Sequence, residues 1–161
     1  MRICFDKGRK IAAALCLLLL APAAQAAVID GGEAGTVLRA QPDEGAAALG
    51  RFYSGTEVEI LGDAGGGWTQ VAIGAGYAGV SGYLPAASLA DHAAGWGRMM
   101  CVCSPYGTQS VVLRDRPSDS YSALAMLEVG TQVCVIGTAD AYCYVCLDDG
   151  SVGCLSVREL E

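Results

Sequence analysis

An internal repeat is the sequence feature that most restricts what this chain can fold into. Four blocks of residues recur in the same order, with an offset that falls from 75 to 74 and then to 71 across short changes in loop length. The blocks are Val37-Leu38-Arg39-x-x-Pro42 with Val112-Leu113-Arg114-x-x-Pro117, Gly55-Thr56-x-Val58-x-Ile60 with Gly130-Thr131-x-Val133-x-Val135, Trp68-x-x-Val71 with Tyr142-x-x-Val145, and Gly82-x-Leu84 with Gly153-x-Leu155. We therefore predict two copies of one domain, a first copy at 33–90 and a second copy at 99–161, joined by a linker at 91–98.

The residues within each copy alternate between apolar and polar with the period of a half-buried β-strand. Val58 and Ile60 alternate with Glu57 and Glu59, and glycine-rich turns separate one short segment from the next. No stretch of either copy shows sustained helical periodicity. Short strands at regular spacing predict an all-β fold built from small barrels or sandwiches.

The N-terminus has the pattern of an export signal peptide covering residues 1–26. A basic segment precedes the apolar run Ile11–Leu20, and Ala24 and Ala26 supply the small-x-small pattern that signal peptidase recognises. Because this apolar run is shorter than the ~20 residues that a membrane-spanning helix needs, we expect cleavage after Ala26 and no stable membrane span afterwards. The predicted location is secreted or in the cell envelope, outside the cytoplasm.

The mature chain is strongly acidic. Removal of the leader leaves six arginines and sixteen acidic residues, a net charge of −10, against −7 for the whole chain. Such a surface repels phosphate backbones and anionic membranes, so nucleic-acid binding is not expected. An acidic surface of this kind suits a protein partner more readily than an anionic wall.

Both copies resemble the bacterial SH3 (SH3b) domain family. The first copy carries the family pattern of an apolar residue before Arg39, then Pro42, Gly55, a Trp68-x-x-apolar strand and a closing Gly-Tyr-Leu segment at 82–84. The second copy carries the same pattern, with Tyr142 for the Trp and Cys154 for the Tyr. The resemblance covers residues 33–161 and implies two tandem small SH3-like β-barrels behind the signal peptide helix.

The resemblance also implies a function class, because SH3b domains hold exported proteins on the cell wall, often beside a peptidoglycan hydrolase. The expected partner is peptidoglycan or another envelope polymer, and the alternative is an envelope protein to which this chain is an accessory or inhibitor. No enzyme activity and no cofactor are expected. A Cys–His or Ser–His–Asp arrangement needs a positioned histidine, and the single histidine of the chain, His92, falls in the linker.

Exposed aromatic side chains are the predicted ligand contacts, because they offer contact area at low entropic cost. The candidates are Tyr53, Trp68, Tyr77, Tyr83, Tyr121, Tyr142 and Tyr144. For Trp68 and Tyr142 the competing interpretation is a ring that caps the barrel. Arg39 and Arg114 are expected to bind backbone near the first turn of each copy.

The mature chain has six cysteines, all in the second copy, and an even number in a small exported domain points to disulfides. The candidates are Cys101, Cys103, Cys134, Cys143, Cys146 and Cys154. Strand alternation turns Cys134 and Cys146 outward on neighbouring strands, which makes them the favoured pair. A zinc site built from Cys101-x-Cys103 and Cys143-x-x-Cys146 is the alternative, although no metal is expected.

Overall fold

A computed structural model describes residues 25–74, 79–118 and 120–161, so most of the predicted signal peptide lies outside the described residues. These residues form short antiparallel strands joined by turns, and the all-β prediction is confirmed. The strands are β1 Gln25–Ile29, β2 Thr36–Arg39, β3 Ala48–Phe52, β4 Glu57–Gly65, β5 Trp68–Ile73, β6 Val80–Pro85, β7 Leu89–Ala90, β8 Arg98–Cys101, β9 Ser110–Arg114, β10 Ala123–Glu128, β11 Gln132–Ala139, β12 Tyr142–Cys146 and β13 Val152–Ser156. Single 3-10 turns at Ala86–Ser88 and Val157–Glu159 follow β6 and β13.

The strands of both copies join into one hydrogen-bonded sheet of 13 strands. Strands β2–β7 lie in the first copy, with β1 just before it, and β8–β13 form the second copy. Strand β3 pairs with β11 across the boundary, where Gly137 lies opposite Phe52. The two tandem barrels stay a prediction, because the described strands form a continuous sheet rather than two sheets with separate edges.

Two hydrophobic clusters line this sheet. The second cluster consists of second-copy residues with Tyr53 packed against it: Val102, Val111, Leu113, Leu127, Val133, Val135, Cys143, Val145, Leu155 and Leu160. The first cluster draws on both copies: Ile29, Leu38, Phe52, Val58, Val71, Ile73, Leu84, Tyr144, Val152 and Cys154. The outward face of β12 and β13 therefore completes the core of the first copy.

The repeated Gly82 and Gly153 have the same packing role in both copies. A Cβ added at Gly82 would lie 2.9 Å from Cγ of Leu38, and one added at Gly153 would lie 2.6 Å from Cγ of Leu113. Both distances are far below van der Waals contact, so any larger residue would push the buried leucine aside. The recurring Gly-x-Leu block thus reflects close packing of β6 on β2 and of β13 on β9.

Strand β1 begins before the predicted start of the first copy and pairs with β4 and β7. The predicted cleavage after Ala26 falls inside β1, and its buried residue, Ile29, lies after that point. In the part of the chain that the structure describes, no helix is long and apolar enough to cross a membrane.

Candidate functional site

An aromatic face lies on the outer side of β5 and β6 in the first copy. Val71 and Leu84 point into the first cluster, so the alternating neighbours Trp68 and Tyr83 point away from it. Tyr83 lies opposite both Gln70 and Arg39, and Trp68 is its diagonal neighbour, a separation of roughly 7–8 Å between Cα atoms. Both aromatic side chains are half-buried, which leaves part of each ring open to solvent.

Arg39 borders this face and is held by backbone. Its Nη1 donates a hydrogen bond of 2.9 Å to the carbonyl of Ala46, in the loop between β2 and β3. This is the backbone contact that the repeat predicts for the arginine. The hydrogen bond fixes the loop at the edge of the aromatic face. We name this surface, formed by Arg39, Trp68, Gln70 and Tyr83, the Trp68–Tyr83 face.

The second copy places its equivalent arginine in an ion pair. Arg114 donates two hydrogen bonds, of 2.7 and 3.1 Å, to the carboxylate of Glu159, and both side chains are nearly buried. The hydrogen bond to Glu159 raises the pKa of Arg114, and the guanidinium lies 4.8 Å from the ring centre of Tyr121 and 5.8 Å from that of Tyr142. The pair therefore positions two candidate tyrosines around one cation.

A groove of about 290 Å³ lies beside this ion pair. Tyr106, which is 83% exposed, and Tyr142 line it together with Arg158 from the 3-10 turn. Sequence reasoning missed both Tyr106 and Glu159. The role of Glu159 could have been predicted, because Ser156 and Glu159 have the spacing of a capping box. In the structure the Glu159 carboxylate accepts a hydrogen bond of 2.8 Å from the Ser156 N–H.

Two of the remaining aromatic candidates, Tyr144 and Tyr53, lie apart from these surfaces. Tyr144 is 3% exposed, its ring packs 4.7 Å from that of Phe52, and its hydroxyl donates to the carbonyl of Leu49 at 3.0 Å, so it offers no surface to a ligand. Burial raises its pKa. Tyr53 is half-buried against the second cluster. Tyr77 lies outside the described residues.

The six candidate cysteines are distributed over several surfaces, and no disulfide joins any of them in the described residues. Cys143 lies in the second cluster and Cys154 in the first, on opposite sides of the sheet, and burial raises the pKa of Cys154 to about 12. Since Cys143 faces the second cluster and Cys146 packs against the first, the four thiols of the zinc alternative do not converge. Across the described ranges, no group of three or more His, Cys, Asp or Glu side chains is placed to hold a metal ion.

A cleft of about 500 Å³ lies between the copies on the side of β4 and β11. Its walls are mainly apolar, and Cys134, Cys146 and Glu57 line it. His92, the histidine of the predicted linker, is exposed and does not line this cleft or the groove beside Tyr142.

Residues 34–90 match the family model described as the bacterial SH3 domain. The match covers the first copy alone. No curated protein sequence matches the chain.

Solved structures that match this chain include NlpC1 from Trichomonas vaginalis, with 14% identity, a TM-score of 0.40 and coverage of 86% of this chain and 46% of that one. An NlpC/P60 family protein from Bacillus cereus has 15% identity, a TM-score of 0.31 and coverage of 85% and 56%. This chain thus spans about half the length of these proteins. Structural similarity this low does not indicate a function for this chain.

Proposed function

We propose, from the match of residues 34–90 to the bacterial SH3 domain, that this chain is a non-catalytic exported protein that binds cell wall peptidoglycan or a related envelope polymer. The observation that carries the proposal is the Trp68–Tyr83 face, which lies within the matched residues. Two partly open rings on one side of a sheet offer a stacking surface for sugar or peptide.

Electrostatics support local contacts rather than overall attraction. The mature chain carries a net charge of −10, so long-range steering toward an anionic wall is unfavourable. Stacking on aromatic rings is short-ranged and is not screened by salt as ionic attraction is. We therefore expect binding that tolerates rising salt.

A non-catalytic role is supported by the burial of two thiols, Cys143 and Cys154. A thiolate is the nucleophilic form of cysteine, and burial raises the pKa of Cys143 and Cys154 and so disfavours that form. His92 is exposed whereas Cys143 and Cys154 are buried, which does not favour a Cys–His pair.

The proposal is tested by co-sedimentation of residues 27–161 with insoluble purified peptidoglycan over a range of salt concentrations. We expect pelleting that persists as salt rises and an affinity that falls about tenfold in the double variant Trp68→Ala, Tyr83→Ala. Trp96→Ala is the matched control, because Trp96 is 42% exposed and lies outside the face.

Two other outcomes would redirect the assignment. Loss of binding in Tyr106→Ala, with the double variant unchanged, would move the site to the groove of the second copy. The absence of pelleting on several wall types would contradict wall binding and favour an envelope protein as the partner, in keeping with the acidic surface.

A further inference from the structure

The register of β11 and β12 brings two cysteines directly opposite each other. Cys134 and Cys146 are cross-strand partners, and both face the cleft between the copies. Directly opposed residues of antiparallel strands have Cα atoms about 4.5 or 5.5 Å apart, and disulfides form at Cα separations of roughly 4.4 to 6.8 Å. We infer that Cys134 and Cys146 form an intrachain disulfide and that the other four described cysteines stay unpaired within the chain.

The sheet excludes the competing pairs. Cys101 lies opposite Gln132, which makes it a diagonal neighbour of Cys134 at a Cα separation of about 7–8 Å, beyond the reach of a disulfide without backbone movement. Cys103 is further along the same segment, where its backbone N–H donates to the carbonyl of Glu159. Neither cysteine has another cysteine directly across from it in the described strands.

The two buried cysteines are excluded by their direction. Cys143 lies opposite Leu155 on β13, so these two side chains share one face of the sheet. Cys154 precedes Leu155 in the chain, and its side chain therefore points to the other face. The thiols belong to different hydrophobic clusters, and the backbone of the sheet lies between them. A bond between Cys143 and Cys154 would require one strand to turn over.

Access and proximity agree with this assignment. The cleft of about 500 Å³ admits a low-molecular-weight disulfide to Cys134 and Cys146, each of which is half-buried. Burial raises the pKa of the Cys146 thiol, and the nearby Cys134 raises it further, together with Asp149, Glu57 and Asp148. A Cβ at Gly97 would lie 2.7 Å from Sγ of Cys134, so glycine leaves space beside the thiol.

The reaction is thiol–disulfide exchange. One thiol loses its proton and its thiolate attacks a disulfide oxidant such as oxidised glutathione, which releases one glutathione thiolate and leaves a mixed disulfide. The second thiol, deprotonated in turn, attacks the mixed disulfide, forms the Cys134–Cys146 bond and expels the second glutathione. Two protons and two electrons pass from the protein to the oxidant, which becomes two thiols.

The test is peptide mapping of the full chain after treatment with oxidised glutathione and alkylation of the remaining thiols. Cleavage at acidic residues separates Cys134 from Cys146, and chymotryptic cleavage after Tyr144 separates Cys146 from Cys143. We expect a linked Cys134–Cys146 peptide, with alkylation of both residues reduced about tenfold or more, because a disulfide has no nucleophilic thiolate. After denaturation, Cys101, Cys103, Cys143 and Cys154 should alkylate fully.

Variants separate this pairing from non-specific oxidation. Cys134→Ser and Cys146→Ser should each abolish the linked peptide, whereas Cys103→Ser, the control at another half-buried thiol, should retain it. The unaltered chain should also unfold at a temperature several degrees higher when oxidised than when reduced, and the double serine variant should lose this difference. A linked peptide that joins any other pair, or full alkylation of both residues after oxidation of the folded chain, would overturn the assignment.

Discussion

Gln70 and Tyr144 occupy equivalent positions in the two copies, but their surroundings differ. Gln70 lies on the half-exposed outer side of β5, whereas Tyr144 lies in the interior, packed on Phe52 of the other copy. Tyr83 and Cys154 differ in the same way, since Cys154 is 1% exposed. The first copy thus leaves its outer face partly open to solvent, whereas the second copy uses the equivalent face to complete its neighbour's core.

Because of this asymmetry, the two copies do not contribute equally to each other's hydrophobic core. The first cluster includes Tyr144, Val152 and Cys154 from the second copy, whereas Tyr53 is the first-copy residue packed against the second cluster in the described part of the chain. A small domain has little core to spare. The first copy should therefore depend on the second for its stability far more than the reverse.

The largest expected effect comes from dividing the chain. Residues 27–97 alone should show no cooperative thermal transition, because their core lacks the three buried residues that the second copy supplies. Residues 98–161 alone should retain one. Circular dichroism melting curves measure both, and a sharp transition for the isolated first copy would show that its core closes by itself.

Next in size is the loss of Tyr144. Tyr144→Ala should lower the free energy of unfolding by about 3–5 kcal/mol, because it leaves a large cavity at a fully buried contact. The matched change Gln70→Ala should cost about 0.5 kcal/mol or less. Urea unfolding of the two variants gives the comparison, and equal costs would mean that the two faces are equally exposed in solution.

The paired glycines Gly137 and Gly62 offer a smaller and sharper contrast. A Cβ at Gly137 would lie 2.8 Å from Cδ1 of Phe52 and 2.6 Å from the carbonyl oxygen of Arg51, whereas a Cβ at Gly62 would meet nothing within 4 Å. Gly137→Ala should therefore destabilise the protein by about 1–3 kcal/mol, and Gly62→Ala by about 0.5 kcal/mol or less. Chemical denaturation curves measure the free energy of unfolding of both variants. An unchanged free energy of unfolding in Gly137→Ala would argue against the pairing of β3 with β11.

The smallest expected effect is a pH dependence confined to the second copy. A hydrogen bond from the Arg116 guanidinium lowers the pKa of Asp115, and the Ser122 N–H lowers it further. Because the folded pKa is depressed, this stabilisation is present above the unfolded pKa and is lost as pH falls through the folded value. The first copy has Ala40 at the equivalent position.

Urea midpoints measured from pH 6 down to pH 2 test this dependence. The unaltered chain should lose slightly more stability below about pH 4 than the Asp115→Asn variant does. Arg51→Gln, a change to an exposed arginine in the first copy, is the control and should leave the acid dependence unchanged. Parallel curves for the unaltered chain and Asp115→Asn would show that this hydrogen-bonded turn does not couple to folding.

Several features of the fold are local and could be predicted from the sequence. Alternation on β11 and β12 sets Val133, Val135 and Val145 on the core side, and it predicts that Cys134 and Cys146 point the other way. The short turn alone would place Cys146 opposite Val135. A β-bulge between Val135 and Gly137 shifts the register by one residue and places Cys134 opposite Cys146. The repeated arginines likewise bind backbone, Arg39 to Ala46 and Arg114 to Val112.

The tertiary structure alone decided which outward faces stay open. The alternation of apolar and polar residues separates the two sides of a strand. It does not indicate whether the outer side meets water or another strand, because that depends on the pairing of β3 with β11, which are far apart in the chain. Tyr144 and Cys154 therefore read as surface positions in the sequence and are buried in the structure. Trp68 and Tyr83 have the same alternation and remain half-buried, because in the structure the outer side of β5 and β6 stays partly open to solvent.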